Sequence, residues 1–229
     1  MVKAVFFDLY ETLITEWKDG YKKAKYSIEP LGLDKDIFKA EWDLRRELRM
    51  NGTFPDHQSV LRDILDSQGI TPNVEAIEYV HLERLSAKSI PFQEIDPQVI
   101  ELLQTLKSNG LKLGLISNAA PEEVVAWETT ELPDYFDEVI FSYEVRVAKP
   151  QKEIYQLACE KLGVIPQESV FIGDGGSYEL RGATEAGMTA LQATWFLPTV
   201  ISERTTGYPK LKKPQDLLLH ESIKSITIY

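Results

Sequence analysis

Four short stretches of the chain hold the side chains with the most chemical reach. The first is Asp8, which closes the apolar run 2–7 and leads into Leu9-Tyr10-Glu11-Thr12. A carboxylate ending a strand buried on both faces needs strong compensation, because an unpaired buried charge is costly. Ser117-Asn118 ends a second apolar run, and Gly173-Asp174-Gly175-Gly176-Ser177 ends another, with Glu179 just beyond. The fourth stretch is Lys149-Pro150, ahead of a helical pattern. Taken singly, most of these residues have ordinary uses: a tight turn for Asp174-Gly175-Gly176, an N-cap or turn for Ser117 or Asn118, a solvated surface for Lys149. Together they mark the carboxyl ends of strands, where open α/β sheets bind ligands near a topological switch point.

The elements that must position them follow from periodicity. Short apolar runs at 2–7, 111–117, 138–142, 169–174 and 189–194 read as buried strands. Helical spacing fills 98–109, 121–131, 151–162 and 178–186, and Gly110, Gly163 and Gly187 fall where helices should end. Alternation of this kind predicts right-handed βαβ units and a doubly wound, Rossmann-like parallel sheet. Segment 16–91 breaks the rhythm, with no convincing strand and long charged amphipathic stretches. Helices are expected at 21–28, 34–50, 55–67 and 72–89, with Leu44, Leu48, Leu61, Ile64, Leu65, Ile77, Val80 and Leu85 as their apolar seam. The expected organisation is an α/β core at 1–15 and 92–229, interrupted by an all-helical subdomain at 16–91.

The chain resembles the haloacid dehalogenase superfamily, with four motifs in order. They are Phe6-Phe7-Asp8-Leu9-Tyr10-Glu11-Thr12-Leu13, Leu115-Ile116-Ser117-Asn118, Lys149-Pro150, and Gly173-Asp174 with the later Glu179. The helical insertion stands where that family puts its first-type cap. The resemblance implies a sheet order of 5-4-1-2-3, which sets Asp8 beside Asp174. Two adjacent carboxylates repel unless a cation intervenes, and a hard oxygen site of this kind suits Mg²⁺. The implied ligands are Asp8, the backbone carbonyl of Tyr10, and Asp174, with Glu179 acting directly or through water. Asp8 is then the candidate nucleophile of a phosphatase, forming an aspartyl-phosphate from a small phosphorylated metabolite. Lys149 would add positive charge toward Asp8, while Thr12, Ser117 and Asn118 are candidate substrate-binding residues beside backbone N–H groups of the first loop.

Tyr10 departs from the pattern, since phosphatases of the family carry there an aspartate that protonates the leaving alcohol. A phenol with an ordinary pKa of about 10 is a poor base near neutrality. Glu11 is the other candidate, although alternation along an extended segment points it the opposite way. Tyrosine at this position also occurs in metal-independent 2-haloacid dehalogenases of the family, but an uncompensated Asp174 would repel both Asp8 and a haloacid carboxylate. A catalytically silent binding protein on the same fold is the third reading.

Substrate selection would fall to the helical insertion. Lys18, Lys22, Arg45, Arg46 and Arg49 are its cationic candidates for an anionic substrate, and Trp17, Trp42 and Phe54 could wall a pocket, against the alternatives of a solvated face and core packing. His57, His81 and His220 show no ligand spacing for zinc. With 36 acidic and 25 basic residues the formal net charge is −11, which argues against non-specific nucleic-acid binding. Cys159 is the one cysteine, so no internal disulfide forms, and it reads as a small buried residue. No signal peptide, bilayer-spanning run or lipidation box at Ile226-Thr227-Ile228-Tyr229 is read, so a cytoplasmic protein with no membrane partner is expected.

Overall fold

The computed structural model describes residues 1–224; segment 225–229, with Ile226 to Tyr229, lies outside the described residues. The strands are β1 (Ala4–Phe7), the two-residue pair β2 (Trp17–Lys18) and β3 (Tyr21–Lys22), β4 (Lys112–Ser117), β5 (Glu138–Phe141), β6 (Ser169–Gly173), β7 (Thr189–Ala193) and β8 (Lys210–Leu211). Six of them form a parallel sheet in the order β5-β4-β1-β6-β7-β8. The expected five-strand order is present, with β8 added at the β7 edge.

Central β1 shows why the two faces pack as they do. Its four residues are fully buried, and period-2 alternation sends Val5 and Phe7 to one face and Ala4 and Phe6 to the other. β6 repeats this, with Val170 and Ile172 on the first face and Phe171 on the second. The helices are α1 (Lys35–Leu44), α2 (Arg46–Met50), α3 (His57–Ser67), α4 (Val74–Ser89), α5 (Pro97–Ser108), α6 (Ser142–Val145), α7 (Lys152–Leu162) and α8 (Glu179–Ala186), followed by three four-residue helices, α9 (Thr199–Ser202), α10 (Asp216–Leu219) and α11 (Glu221–Lys224). α5 starts at an Asp96 cap followed by Pro97 and presses Val99, Leu102, Leu103 and Leu106 onto the first face. α7 and α8 cover the second with Ile154, Tyr155, Ala158, Leu162, Leu180 and Ala183. Cys159 is buried there as expected. Truncating one such Leu or Ile to Ala costs about 2–5 kcal/mol.

The insertion has its own apolar cluster, built on Ile28, Leu31, Phe38, Val60, Leu61, Ile64, Leu65, Ile77 and Val80. Three expectations fail in it. The helix expected at 21–28 is replaced by the β2–β3 hairpin, whose turn is Asp19-Gly20 with φ of 52° and 80°, a pairing that fits a two-residue hairpin turn. The expected helix 34–50 breaks at Arg45, whose side chain is held by Glu41 and by Asp63, 2.6 Å away. That break leaves Leu44 and Leu48 exposed, and Leu85 is only half-buried while Arg84 is buried. In the core, the helix expected at 121–131 is instead a pair of 3₁₀ turns, Pro121–Glu123 and Trp127–Thr129. Thr129 and Thr130 donate to the carbonyls of Ala126 and Trp127, taking acceptors that a continuing helix would use.

Candidate active site

Adjacent strands β1 and β6 deliver the acids. The Asp8 N–H donates to the Ile172 carbonyl at 2.8 Å, continuing the β1–β6 ladder one residue past Phe7, so Asp8 emerges beside the end of β6 where Asp174 begins. The chain then turns tightly: Ser177 and Tyr178 both adopt left-handed backbone, at φ of 54° and 55°, which non-glycine residues rarely do. This turn returns Glu179 beneath Gly173, whose missing side chain is required, because a Cβ there would lie 2.2 Å from Glu179 Oε1. Asp8, Asp174 and Glu179 each offer a carboxylate oxygen, and these lie within 4.8 Å of one another.

Lys149 closes the cluster. Its Nζ sits 2.5 Å from Asp8 Oδ1 and 2.5 Å from Glu179 Oε2, and all three side chains are buried. Asn118 fixes the lysine from behind, its Oδ1 accepting from the Lys149 N–H and its Nδ2 donating to the Lys149 carbonyl, both at 2.8 Å. Gly182 of α8 packs against the carbonyl of Pro150, where a Cβ would approach to 2.4 Å. Glu179 Oε1 also accepts from the Gly175 N–H.

Burial pushes the Asp8 carboxyl up against the opposing pull of Lys149, and Asp174 adds to the rise. Burial, then the Asp8 charge, lifts Glu179 well above the usual carboxylate range. Burial works against the charge on Lys149, but Asp8 and Glu179 outweigh it and hold its pKa up. Three acids around one lysine leave an excess of negative charge on hard oxygen donors. That donor set fits a divalent cation such as Mg²⁺ at Asp8 and Asp174, with Glu179 already engaged by Lys149 and Gly175.

The remaining predicted residues separate. Tyr10 donates its hydroxyl to the Glu123 carbonyl at 2.5 Å, and burial followed by the Glu123 and Glu16 charges holds its pKa well above normal. Glu11 accepts from the Thr15 hydroxyl at 2.5 Å and the Glu16 N–H at 2.9 Å, and burial raises it. Ser117 is buried at the end of β4. Thr12 is fully buried, its hydroxyl without a partner and its carbonyl accepting from the Trp195 indole at 2.9 Å.

A cavity of about 650 Å³ lies between these loops and the insertion, with Tyr10, Asn118 and Ser177 from the strand-end loops and Trp42, Arg46, Arg49 and Arg84 from the insertion. Lys22 also lines it. Lys18 instead pairs with Glu94 and Arg45 with Glu41 and Asp63. Trp42 walls the cavity, Phe54 packs against the apolar cluster of the insertion, and Trp17 is 43% exposed. One cluster escapes the motif reading altogether. Arg84 is buried and donates to Glu122 at 2.9 Å, Glu123 at 2.8 Å and the Tyr26 hydroxyl at 3.0 Å, while Lys88 pairs with Glu16 and Glu123. Its signal is an arginine and a lysine on the same stripe of α4 as Ile77 and Val80.

The chain belongs to the haloacid dehalogenase-like hydrolases, whose family model matches residues 2–187. A protein named glyceraldehyde 3-phosphate phosphatase from Methanopyrus kandleri is 30% identical over 203 residues, covering 84% of each chain. A 2-haloacid dehalogenase from Pseudomonas syringae superposes with a TM-score of 0.67 at 20% identity, covering 98% of this chain and 99% of that one. A haloacid dehalogenase family enzyme from Bacteroides thetaiotaomicron, crystallised with magnesium and inorganic phosphate, gives 0.61 at 22% identity, over 85% of this chain and 95% of that one. At these identities the two structures show a shared fold. No helix among the described residues is long and apolar enough to cross a membrane.

Proposed function

We propose that this hydrolase is a cytoplasmic, Mg²⁺-dependent phosphatase acting on a small phosphorylated metabolite, with residues 16–91 as the cap over a core of 1–15 and 92–229. The observation that carries the reading is the convergence of Asp8, Asp174 and Lys149 at the carboxyl ends of β1 and β6. Asp8 is the nucleophile, attacking phosphorus in line to give an aspartyl-phosphate while the ester oxygen departs; water then hydrolyses that acyl phosphate. Lys149 favours the ionised form of Asp8 against its burial and offers charge to the phosphoryl oxygens, with Thr12 and Ser117 as candidate contacts beneath them. Glu179 and Asn118 position Lys149, the first through its carboxylate and the second through the lysine backbone. Mg²⁺, held by Asp8, the Tyr10 carbonyl and Asp174, would supply charge neutralisation between the two anions that must meet.

Asp174 favours this reading over carbon–halogen cleavage, since its carboxylate would repel a haloacid anion. The phosphatase names among the relatives point the same way. The purified chain should hydrolyse p-nitrophenyl phosphate only with Mg²⁺ present, and Asp8→Asn should abolish turnover. Metal-independent halide release from 2-chloropropionate would overturn the proposal in favour of a dehalogenase.

A further inference from the structure

The cavity over the strand ends has a charge opposite to that of the whole chain. Against a formal net charge of −11, its lining holds six cationic side chains and three acidic ones. The acids are largely spoken for: Glu123 binds Arg84 and Lys88, and Glu16 binds Lys88 and Lys22. Arg46 donates to the Ser177 hydroxyl at 2.9 Å.

Arg49 stands apart from this pairing. It is 5% exposed, its guanidinium carbon stacks 3.8 Å from the centre of the Trp42 ring, and its one side-chain hydrogen bond among the described residues is a long one, 3.3 Å, from a terminal guanidinium nitrogen to the Trp42 carbonyl. Its Nε is buried with no hydrogen-bond partner, and among the described residues no carboxylate pairs with it. Burial lowers its pKa to about 10, which still leaves it charged at neutral pH. Trp42 is itself held from several sides, by Phe38 stacked at 5.8 Å, His57 edge-on at 5.4 Å and Arg84 at 4.7 Å. The guanidinium therefore lies on a fixed platform with donors unused in the wall of a cavity. A buried cation with an unsatisfied donor is costly, and a two-oxygen anion matches its fork.

We propose that Arg49 is a specificity-determining residue that binds a second anionic group on the substrate, a carboxylate or a second phosphate, at the end of the molecule remote from the phosphoryl group being hydrolysed. The proposal rests on the phosphatase reading above and narrows its substrate to an organic phosphate with two anionic ends. Trp42 orients the guanidinium, and the surplus cations of the lining draw the dianion into the cavity.

Steady-state kinetics of the full chain with Mg²⁺ on three esters tests this: 3-phosphoglycerate, propane-1,3-diyl bisphosphate and glycerol 3-phosphate as the reference without a second charge. At least one charged ester should exceed glycerol 3-phosphate in kcat/KM by about tenfold to a hundredfold, mostly through KM. Whichever charged ester shows the advantage identifies carboxylate or phosphate as the group bound. Arg49→Met should bring the ratio to within about threefold of unity, and Arg49→Lys should restore part of it. Equal use of all three esters by the native chain, or a ratio unchanged in Arg49→Met, overturns the assignment while leaving the phosphatase standing. If none of the three esters nor p-nitrophenyl phosphate is hydrolysed, the phosphatase reading fails. Calorimetry with 3-phosphoglycerate, the bisphosphate and glycerol 3-phosphate then decides Arg49 alone: tighter binding of a charged ester that is lost in Arg49→Met supports it, and equal or no binding overturns it.

Discussion

The two halves of the site are built on opposite electrostatic plans. At the strand ends, three carboxylates crowd around one lysine, all placed by neighbouring parallel strands and one tight turn. Across the cavity, cations outnumber acids: Arg46 and Arg49 come from the short α2 that follows the break at Arg45, Arg84 and Lys88 from α4, and Lys22 and Lys25 from the hairpin and the chain beyond it. On the function proposed above, the acidic half serves reaction and the basic half serves selection. A negative centre alone would repel a phosphate ester, and in the proposed reaction the cationic wall would supply the field that admits it. Substitutions should accordingly divide: those at the strand ends should act on turnover, and those in the insertion on substrate preference or stability.

The sharpest way to break that division is Asp8→Asn, which keeps shape and removes the proposed nucleophile. Turnover of any phosphate ester should fall by about 10⁴-fold or more, in the range seen for loss of a catalytic nucleophile. Lys149→Met comes next, with an expected loss of about 10²–10³-fold in kcat, the scale of one preorganised electrostatic group. It also leaves Asp8 and Glu179 facing each other without their shared cation, so single-turnover rates should be compared at matched folded fraction by circular dichroism. A substantial kcat in either variant would remove the acidic half from the chemistry.

Arg84→Met probes the opposite half through stability. It strands Glu122 and Glu123 without their guanidinium, and breaking a buried pair of this kind costs about 3–5 kcal/mol. Urea unfolding should show the midpoint falling at constant slope. Restoring balance with Arg84→Met and Glu122→Gln together should recover part of the loss, because the penalty comes from the unpaired acids and not from missing volume.

Legibility in the sequence follows the same division. The acidic half was readable because Asp8, Lys149 and Asp174 each sit at a fixed offset from an apolar run or a helix start, and parallel pairing then brings them together whatever their separation along the chain. The apolar runs located the strands, while their order came from the family resemblance; the two-residue β8 is too brief to carry a pattern. The basic half resisted. Arg45, Arg49 and Arg84 occupy buried positions that amphipathic spacing assigns to leucines, and Leu44 and Leu48 go to solvent instead. A polar side chain takes an inward position only when its partners arrive from distant segments, as Asp63 does for Arg45 and Glu122 does for Arg84. The β2–β3 hairpin, which the sequence reading missed, has its one local signal in the Asp19-Gly20 turn, inside a charge-rich stretch with helical spacing.

His57 offers the smallest expected effect and the finest resolution of the basic half. It is fully buried in α3, its Nε2 has no partner, and its Nδ1 lies 3.4 Å from Nδ1 of His81. Burial, then the positive charge of Arg84, lowers its pKa to about 2. A histidine held neutral in the fold but free to protonate when unfolded stabilises the fold fully above about pH 6.5. Below that value the unfolded chain gains a proton that the native chain refuses, so stability falls by up to about 1.4 kcal/mol per pH unit, or roughly 2 kcal/mol between pH 7 and pH 5. Glu123, whose pKa Lys88 and Arg84 pull down to about 2 against its burial, contributes a separate loss that begins only below about pH 4.5. The two windows overlap only below about pH 4.5, outside the interval from pH 7 to pH 5. Urea unfolding at pH 7, 6 and 5 should show the native chain losing stability, while His57→Phe should lose less over that interval. A parallel decline in both proteins would mean that His57 protonates in the native state, and the cationic surplus beside Trp42 would then be weaker than its geometry implies.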